Sequence, residues 1–418
     1  MSLPDSPPSS LPQLFWSRTV YIVAIVTFVL LWMFTWSWQD GPIVPTDQRD
    51  SEATNHYAAK IDLLVDLPKN KQLCTSDTYN NGQWVKKPIQ LEAETAAAVE
   101  KAVKYHCAWN FPHKCYRRNN EGGEFDRARH ILDYQWKPKK CELVPFDANK
   151  LSAYIADHPL LFVGDSINQL EFESMACLLG EKLYNPPGDT NITGGNQNMW
   201  ASQLVHENKL QVQGAVSLAY LRSDYLVRLD DFKLLDPMDE EGYVIGKGSN
   251  YPWKHALSRF HHIVLNTGPH WHTDKKWGPH ESDEEMVAAY RKAMKVVFDH
   301  LIENLTPVQR VWIRSTPYGH LKCSQYTEPS KVPHVPQRKP GEYQWDMHVK
   351  FDEVWKDLIE EYADDRVKFF NISSMANLRG DAHSRPDSDC LHTCLPGPVD
   401  DWNKLLFSEI AREAARIP

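Results

Sequence analysis

From residue 150 onward, short apolar or β-branched runs alternate with segments of helical period. The runs fall at 160–163, 216–221, 263–266, 311–315 and 367–370. Several are continuous rather than alternating, as strands buried on both faces read. Between them Met286, Tyr290, Met294, Val297 and Leu301 recur at three- or four-residue spacing, as do Trp345, Val349, Trp355, Leu358, Ile359 and Tyr362. Strand and helix alternating in this way predicts a parallel α/β sheet with helices on both faces, over 146–418. The stretch 73–145 is different: irregular and cysteine-rich, with one predicted helix at 92–104. It lacks the apolar mass to fold alone, so disulfides or docking on a neighbour must hold it.

Residues 19–38 carry no charge. At ~1.5 Å per residue the run spans roughly 30 Å, the thickness of a bilayer's hydrocarbon core. Phe15, Trp16 and Tyr21 flank one end, and Trp32, Trp36 and Trp38 the other, in the manner of aromatic belts. A cleaved signal peptide has a shorter apolar region and a small-x-small cleavage site, which this run lacks. The expected organisation is a cytosolic tail (1–18), a transmembrane signal anchor (19–38), a polar stem (39–72) and the lumenal remainder. Arg18 before the run, against Asp40, Asp47, Asp50 and Glu52 after it, gives the type II orientation.

Charge and cysteine content sharpen this picture. With 46 Lys+Arg against 55 Asp+Glu the formal net charge is −9, which leaves no basic excess for general nucleic-acid binding. All eight cysteines (Cys74, Cys107, Cys115, Cys141, Cys177, Cys323, Cys390, Cys394) follow the anchor, an even number suited to disulfides in an oxidising lumen. Five precede residue 180 and three follow residue 320, so if all pair, at least one bridge joins the two groups. Sequons at Asn191, Asn304 and Asn371 fit a secretory route, with Pro307 making the second a poor acceptor. The 15 Trp and 17 Tyr suit cores, membrane interfaces or sugar-binding surfaces alike.

Two segments carry chemistry. In LLFVGDSINQLEFESMACLL (160–179) an apolar strand runs into Gly164-Asp165-Ser166 and then a helical pattern. That puts Ser166 where a strand's carboxyl end meets a helix N-terminus, a place that favours a developing oxyanion. An ordinary Asp/Ser helix cap reads the same way. The second segment is Asp389-Cys390-Leu391-His392-Thr393-Cys394. A carboxylate three residues before a histidine can fix its tautomer and leave the other nitrogen to take a serine proton. A surface Asp–His pair or a Cys-x-His-x-Cys zinc fragment are the alternatives, the latter disfavoured where thiols are oxidised. Together the segments supply nucleophile, orienter and base in the order Ser166, Asp389, His392.

GDS after a buried strand, with the late block DCLHTCLPGPVDDWN (389–403), resembles the trichome-birefringence-like (PC-esterase) family of polysaccharide O-acetyltransferases. CTSDTYNNGQWV (74–85), YQWKPKKCEL (134–143), YLRSDYLV (220–227) and LNTGPHW (265–271) extend the resemblance over roughly residues 74–410. It implies an SGNH-like α/β/α sandwich with a central parallel sheet, a smaller cysteine-rich N-terminal lobe and one N-terminal transmembrane helix. It also implies a triad at Ser166, His392 and Asp389, and a Golgi type II membrane protein that acetylates cell-wall polysaccharides. An acetyl donor, acetyl-CoA or a membrane carrier delivered by a transporter, would be co-substrate, with no bound cofactor and no metal. Plant relatives read GDSLSRNQWES and H-W-C; here Gln169, Leu170 and Thr393 depart from them, and the variants resemble fungal members more closely.

The remaining candidates are weaker. The Ser166 backbone N–H is the first oxyanion donor, and Asn266 or Gly268 a second, with Asn266 as a plain turn-former the alternative. Trp271 and Trp277 are candidate platforms for sugar faces, packing being the other role. Arg222 and Asp224 either orient substrate or anchor a strand end. The expected activity is acetyl transfer to a glycan hydroxyl through an acyl-serine. The same triad with water as acceptor makes a glycan acetyl-esterase, and a non-catalytic glycan-binding protein is the third class.

Overall fold

The computed structural model describes residues 62–64, 72–75, 78–107, 111–118, 123–184, 199–204, 216–229, 231–234, 252–272, 282–338 and 343–416. The expected tail and anchor, nearly all of the stem, Asn191 and Trp277 lie outside the described residues. Among the described residues no helix is long and apolar enough to cross a membrane.

The elements run β1 (Gly82–Lys86), α1 (Ala96–Val103), α2 (Glu124–Leu132), β2 (Tyr134–Pro138), α3 (Ala148–Ile155), β3 (Leu160–Gly164), α4 (Ser166–Leu179), β4 (Leu183–Tyr184), β5 (Met199–Leu204), β6 (Leu218–Arg222) and β7 (His262–Asn266). They continue with α5 (Asp283–Asn304), β8 (Arg310–Arg314), α6 (His348–Tyr362), β9 (Val367–Phe370), α7 (Ser373–Ala376), β10 (His383–Arg385), β11 (Asp389–Thr393) and α8 (Pro398–Ala414). Short 3₁₀ turns punctuate the series.

Seven strands form the main sheet in the order β4-β5-β6-β3-β7-β8-β9. β6, β3, β7, β8 and β9 are mutually parallel. β5 and β4 extend the β6 edge antiparallel, an addition that the apolar-run pattern did not predict. β3 lies at the centre, and its residues alternate between two cores. Leu160 and Phe162 face α3, α4 and α8, while Leu161 and Val163 face α5 and α6. This alternation is the period of a strand, and it makes a three-layer α/β/α unit.

The cysteine-rich segment is held as its composition demands. β1 and β2 pair as an antiparallel hairpin. Tyr79, Tyr105, Phe111 and Trp136 are buried in the same core as β3 and α4. All eight cysteines are bridged: Cys74–Cys141, Cys107–Cys177, Cys115–Cys394 and Cys323–Cys390. The link between the two groups that parity required is Cys115–Cys394, closing a separation of 279 residues.

Behind the carboxyl ends of the strands lies the fully buried guanidinium of Arg314, the last residue of β8. Its Nε sits 2.8 Å from Glu171 Oε2 of α4, with both side chains fully buried. Its Nη atoms donate to the Ser315 carbonyl, to Asn168 Oδ1 and to Asn266 Oδ1. Burial pushes the Glu171 carboxyl up to about 7, and Arg314 opposes that shift. Replacing one partner strands the other in a dry interior. Arg314→Met is expected to lower stability by about 3–5 kcal/mol, read as a fall in the urea midpoint at unchanged slope.

Candidate active site

The turn after β3 is fixed from every side. Gly164 has φ +153, and a Cβ there would lie 2.2 Å from the Asn266 carbonyl oxygen, so only glycine lets β3 and β7 end this close together. Its own carbonyl accepts from the Ser223 N–H at 2.9 Å, and the Tyr220 hydroxyl donates toward the Gly164 and Asp165 carbonyls. Asp165 caps α4, its Oδ1 accepting from the Ile167 N–H at 2.9 Å. Ser166 is therefore the first helical residue, half-buried, at the positive end of α4.

Asp389 and His392 sit on β11, which pairs with β10. His392 Nε2 is 2.8 Å from Ser166 Oγ, and His392 Nδ1 is 2.8 Å from Asp389 Oδ2. Asp389 Oδ1 accepts from the backbone N–H groups of Leu391 and His392 at 3.1 and 3.2 Å. Burial pulls the Asp389 carboxyl upward, but the His392 bond and charge with these backbone donors outweigh it. The carboxyl is held well below its ordinary range. Cys390 and Cys394, either side of the histidine, are bridged to Cys323 and Cys115, so the strand carrying the pair is tethered twice.

The rest of the late motif has a mechanical role. The Gly397 N–H donates to Asp400 Oδ2 at 2.8 Å, opening α8. Ser174 Oγ of α4 donates to Asp400 Oδ1 at 2.6 Å, and Asn403 Nδ2 donates to Ser174 Oγ and to the Glu171 carbonyl, both at 2.9 Å. These contacts lock α8, which follows the histidine strand, onto α4, which begins with the serine.

Two expectations need correction. The Asn266 side chain is not free to donate to an oxyanion. Its Nδ2 lies 2.6 Å from the Arg314 carbonyl and 3.0 Å from Thr316 Oγ1, so the amide braces β7 against β8. Gly268 stands two residues beyond Asn266 as Ser166 stands two beyond Gly164, and Gly164 and Asn266 are partners in register. A Cβ at Gly268 would come 2.4 Å from Thr316 Cγ2, so the chain passes too closely there for any side chain. Trp271 is not a sugar platform: it is fully buried, its Nε1 donates to Thr267 Oγ1, and Tyr225 and Tyr290 pack edge-on against its ring. An aromatic-rich loop sequence does not distinguish a ring turned inward from one presented to a ligand.

Arg222, the last residue of β6, pairs with Asp224 at 2.9 Å, and His270 Nε2 lies 3.7 Å from the same Asp224 oxygen. Burial raises the Asp224 carboxyl, helped by Asp165 and opposed by His270 and Arg222. Asn304 is at the end of α5, its amide donating to the His300 carbonyl, and the Asn371 carbonyl accepts from Tyr79 and Asn80. Among the described residues no group of side chains is arranged to hold a metal ion.

Sequence reasoning missed two groups of side chains around the base. His113 lies with its ring stacked on that of His392, centroids 5.2 Å apart and planes 13° from parallel. Glu173, two turns beyond Ser166 on α4, accepts from Gln169 Nε2 at 2.8 Å while its second oxygen is buried without a hydrogen-bond partner. Burial pushes its carboxyl up to about 7, against Gln169, His392 and Lys114.

The carboxyl-end turn, the half-buried serine and the imidazole bridging it to a carboxylate are those of an SGNH-like esterase-fold protein. Residues 143–409 match the PC-esterase family, the GDSL/SGNH-like acyl-esterase family found in Pmr5 and Cas1p, and the chain belongs to it. Protein trichome birefringence-like 9 of Arabidopsis thaliana is 24% identical over 79% of this chain and 83% of its own length. Xyloglucan O-acetyltransferase 1 of the same plant is 23% identical over 88% and 87%. Xylan O-acetyltransferase 7 of Oryza sativa subsp. japonica is 23% identical over 80% of this chain and 59% of its own.

The Glu173 environment makes a pH prediction. Its folded pKa is raised, so the folded state holds the proton more tightly than the unfolded chain. The associated stability is complete below the unfolded value of about 4.3 and is lost as pH rises through about 7. Glu173→Gln is therefore expected to gain on the wild type by about 3–4 kcal/mol between pH ~4 and pH ~8, measured by urea unfolding at both. Equal differences at the two values would refute this assignment.

Proposed function

We propose that this protein is an O-acetyltransferase that places acetyl groups on hydroxyls of a polysaccharide through an acetyl-Ser166 intermediate. The observation that carries the reading is the unbroken contact from Ser166 Oγ to His392 and on to Asp389, 2.8 Å at each step. The family assignment and the activities for which the xylan and xyloglucan relatives are named support it.

In this reading His392 Nε2 takes the Ser166 hydroxyl proton as Oγ attacks the acetyl carbonyl carbon of the donor. The negative charge moves to the carbonyl oxygen, which the Ser166 N–H at the α4 terminus stabilises, with the Gly268 N–H as the second candidate donor. The bond to the leaving group breaks, and His392 returns the proton to it. A sugar hydroxyl then gives its proton to His392 and attacks acetyl-Ser166, and the tetrahedral species collapses as His392 returns that proton to Ser166 Oγ, releasing the acetylated sugar. Asp389 stays ionised and holds the imidazole in the tautomer that accepts at Nε2.

Water in place of the sugar makes the same site an acetyl-esterase. The exposure of His392 and Asp389, 20% and 29% of their side chains, favours keeping that second reading, since water reaches the base. The donor would be an acetyl thioester such as acetyl-CoA, or a carrier fed by a transporter. The complete pairing of the eight cysteines supports an oxidising compartment, so the proposed setting is a secretory-pathway membrane such as the Golgi, with the charge-free run 19–38 as anchor.

Two substitutions test the chemistry. Ser166→Ala is expected to abolish acetyl gain on xylan, mannan or glucan oligomers offered with an activated acetyl donor, followed by mass spectrometry. Loss of acetyl from pre-acetylated oligomers, without gain on bare ones, would select the esterase, and transfer undiminished in the variant would sink the serine mechanism. Asp389→Asn keeps the side-chain shape but favours the wrong imidazole tautomer, and should lower kcat by about 10⁴-fold.

A further inference from the structure

His392 is held by two bonds that lie in its own ring plane, to Ser166 and to Asp389. Such bonds fix direction within the plane but resist rocking of the ring about the line between them only weakly. Out-of-plane support has to come from something packed against a face. Such a group is present, and it comes from outside the region 143–409 that matches the family. We propose that His113 is a positioning residue for His392, supplied by the cysteine-rich N-terminal segment to complete the active site.

The geometry follows from one covalent bond. The chain carries the pattern His-x-Cys twice, at His113-Lys114-Cys115 and at His392-Thr393-Cys394, and the two cysteines are bridged to each other. Each histidine stands two residues before its half of the disulfide, and the two rings meet face to face. The two segments are also joined by backbone: the Leu395 N–H donates to the His113 carbonyl at 2.8 Å, which also accepts from the Cys115 N–H at 2.9 Å. The His113 ring is itself anchored, its Nδ1 3.1 Å from Ser384 Oγ of β10, a residue that is fully buried.

His113 suits a supporting role and not a proton relay. Burial first, and then the neighbouring His392, hold its imidazole down to about 3, so it stays neutral while His392 cycles between its two forms. A neutral ring offers a π-face to the imidazolium formed in the reaction, where a second cation would oppose its formation.

This inference rests on the acyl-serine reading above, and the experiment separates the two. Full-length wild type, Ser166→Ala, His113→Ala and His113→Phe are compared with p-nitrophenyl acetate as probe, following nitrophenolate release and thermal unfolding. His113→Ala is expected to lower kcat about tenfold with KM within about twofold, the signature of lost orientation rather than lost binding. His113→Phe restores a stacked ring without the Ser384 bond and should recover kcat to within about threefold of wild type. If His113→Ala does not fold, the near-normal kcat of His113→Phe carries the test alone. A wild-type kcat in His113→Ala, or His113→Phe folded but as slow as His113→Ala, overturns the positioning role while Ser166→Ala remains inactive. Activity surviving in Ser166→Ala overturns the acyl-serine reading and this inference with it.

Discussion

The placement of the site depends on the buried guanidinium of Arg314. A charge in a dry interior must be paired and hydrogen-bonded or it is intolerable. Here the partners that satisfy it come from the elements that have to be aligned. Glu171 and Asn168 belong to α4, Asn266 ends β7, and Arg314 itself ends β8. The guanidinium also lies over the Trp402 ring of α8, 5.7 Å from its centroid. The fork of donors thereby sets the relative heights of the serine helix, two strand ends and the helix that follows the histidine strand. The same demand explains why Asn266 is unavailable for chemistry: its oxygen faces Arg314 and its amide hydrogens are spent on the Arg314 carbonyl and the Thr316 hydroxyl just beyond β8.

A second layer of constraint is covalent. The Asp389–His392 strand is short, and β10 is its pairing partner, so the two strands have little sheet of their own to keep them still. Bridges from Cys390 to Cys323 and from Cys394 to Cys115 compensate for that. Crosslinks of this kind limit the unfolded chain and also limit how far a loop can drift in the folded one. The cysteine-rich segment is thus part of the catalytic architecture in the spatial sense, sharing one core and one bridge with it.

Much of this was legible in the sequence, for reasons that can be traced. The inner parallel strands β3, β7 and β8 showed because both of their faces are buried, which forces continuous apolar runs such as 160–163. β5, Met-Trp-Ala broken by Ser202 and Gln203 before Leu204, lies beyond the parallel core and gave no β-branched run. Ser166, Asp389 and His392 were readable because each sits in a short local pattern whose spacing the geometry requires. Trp271 stood open between a sugar platform and packing, because a tryptophan beside His270 has the same sequence surroundings whether its ring faces a cleft or Tyr290; the structure takes the packing role. His113 could have been found: two His-x-Cys units in a chain whose cysteine parity demands a bridge between its two halves were a visible signal. Parity alone, however, does not say which cysteines join.

The electrostatics of the region separate the carboxylate that works from those that only support. Burial pushes Glu171, Glu173 and Asp352 up to about 7 and Asp400 to about 6. Asp389 is driven the other way, because the imidazole and two backbone N–H groups meet its oxygens while it remains partly open to solvent. A protein that needs an imidazolium to form in passing gains from one permanently ionised partner and from neutral surroundings elsewhere, since every further anion would stabilise that cation at rest and blunt the base. Glu173 is the buried carboxylate close enough to act on His392, and its poor solvation keeps it largely protonated below neutrality. Its pairing with the neutral amide of Gln169, where a guanidinium would hold it ionised, is consistent with a site tuned to leave Asp389 as the dominant charge on the base.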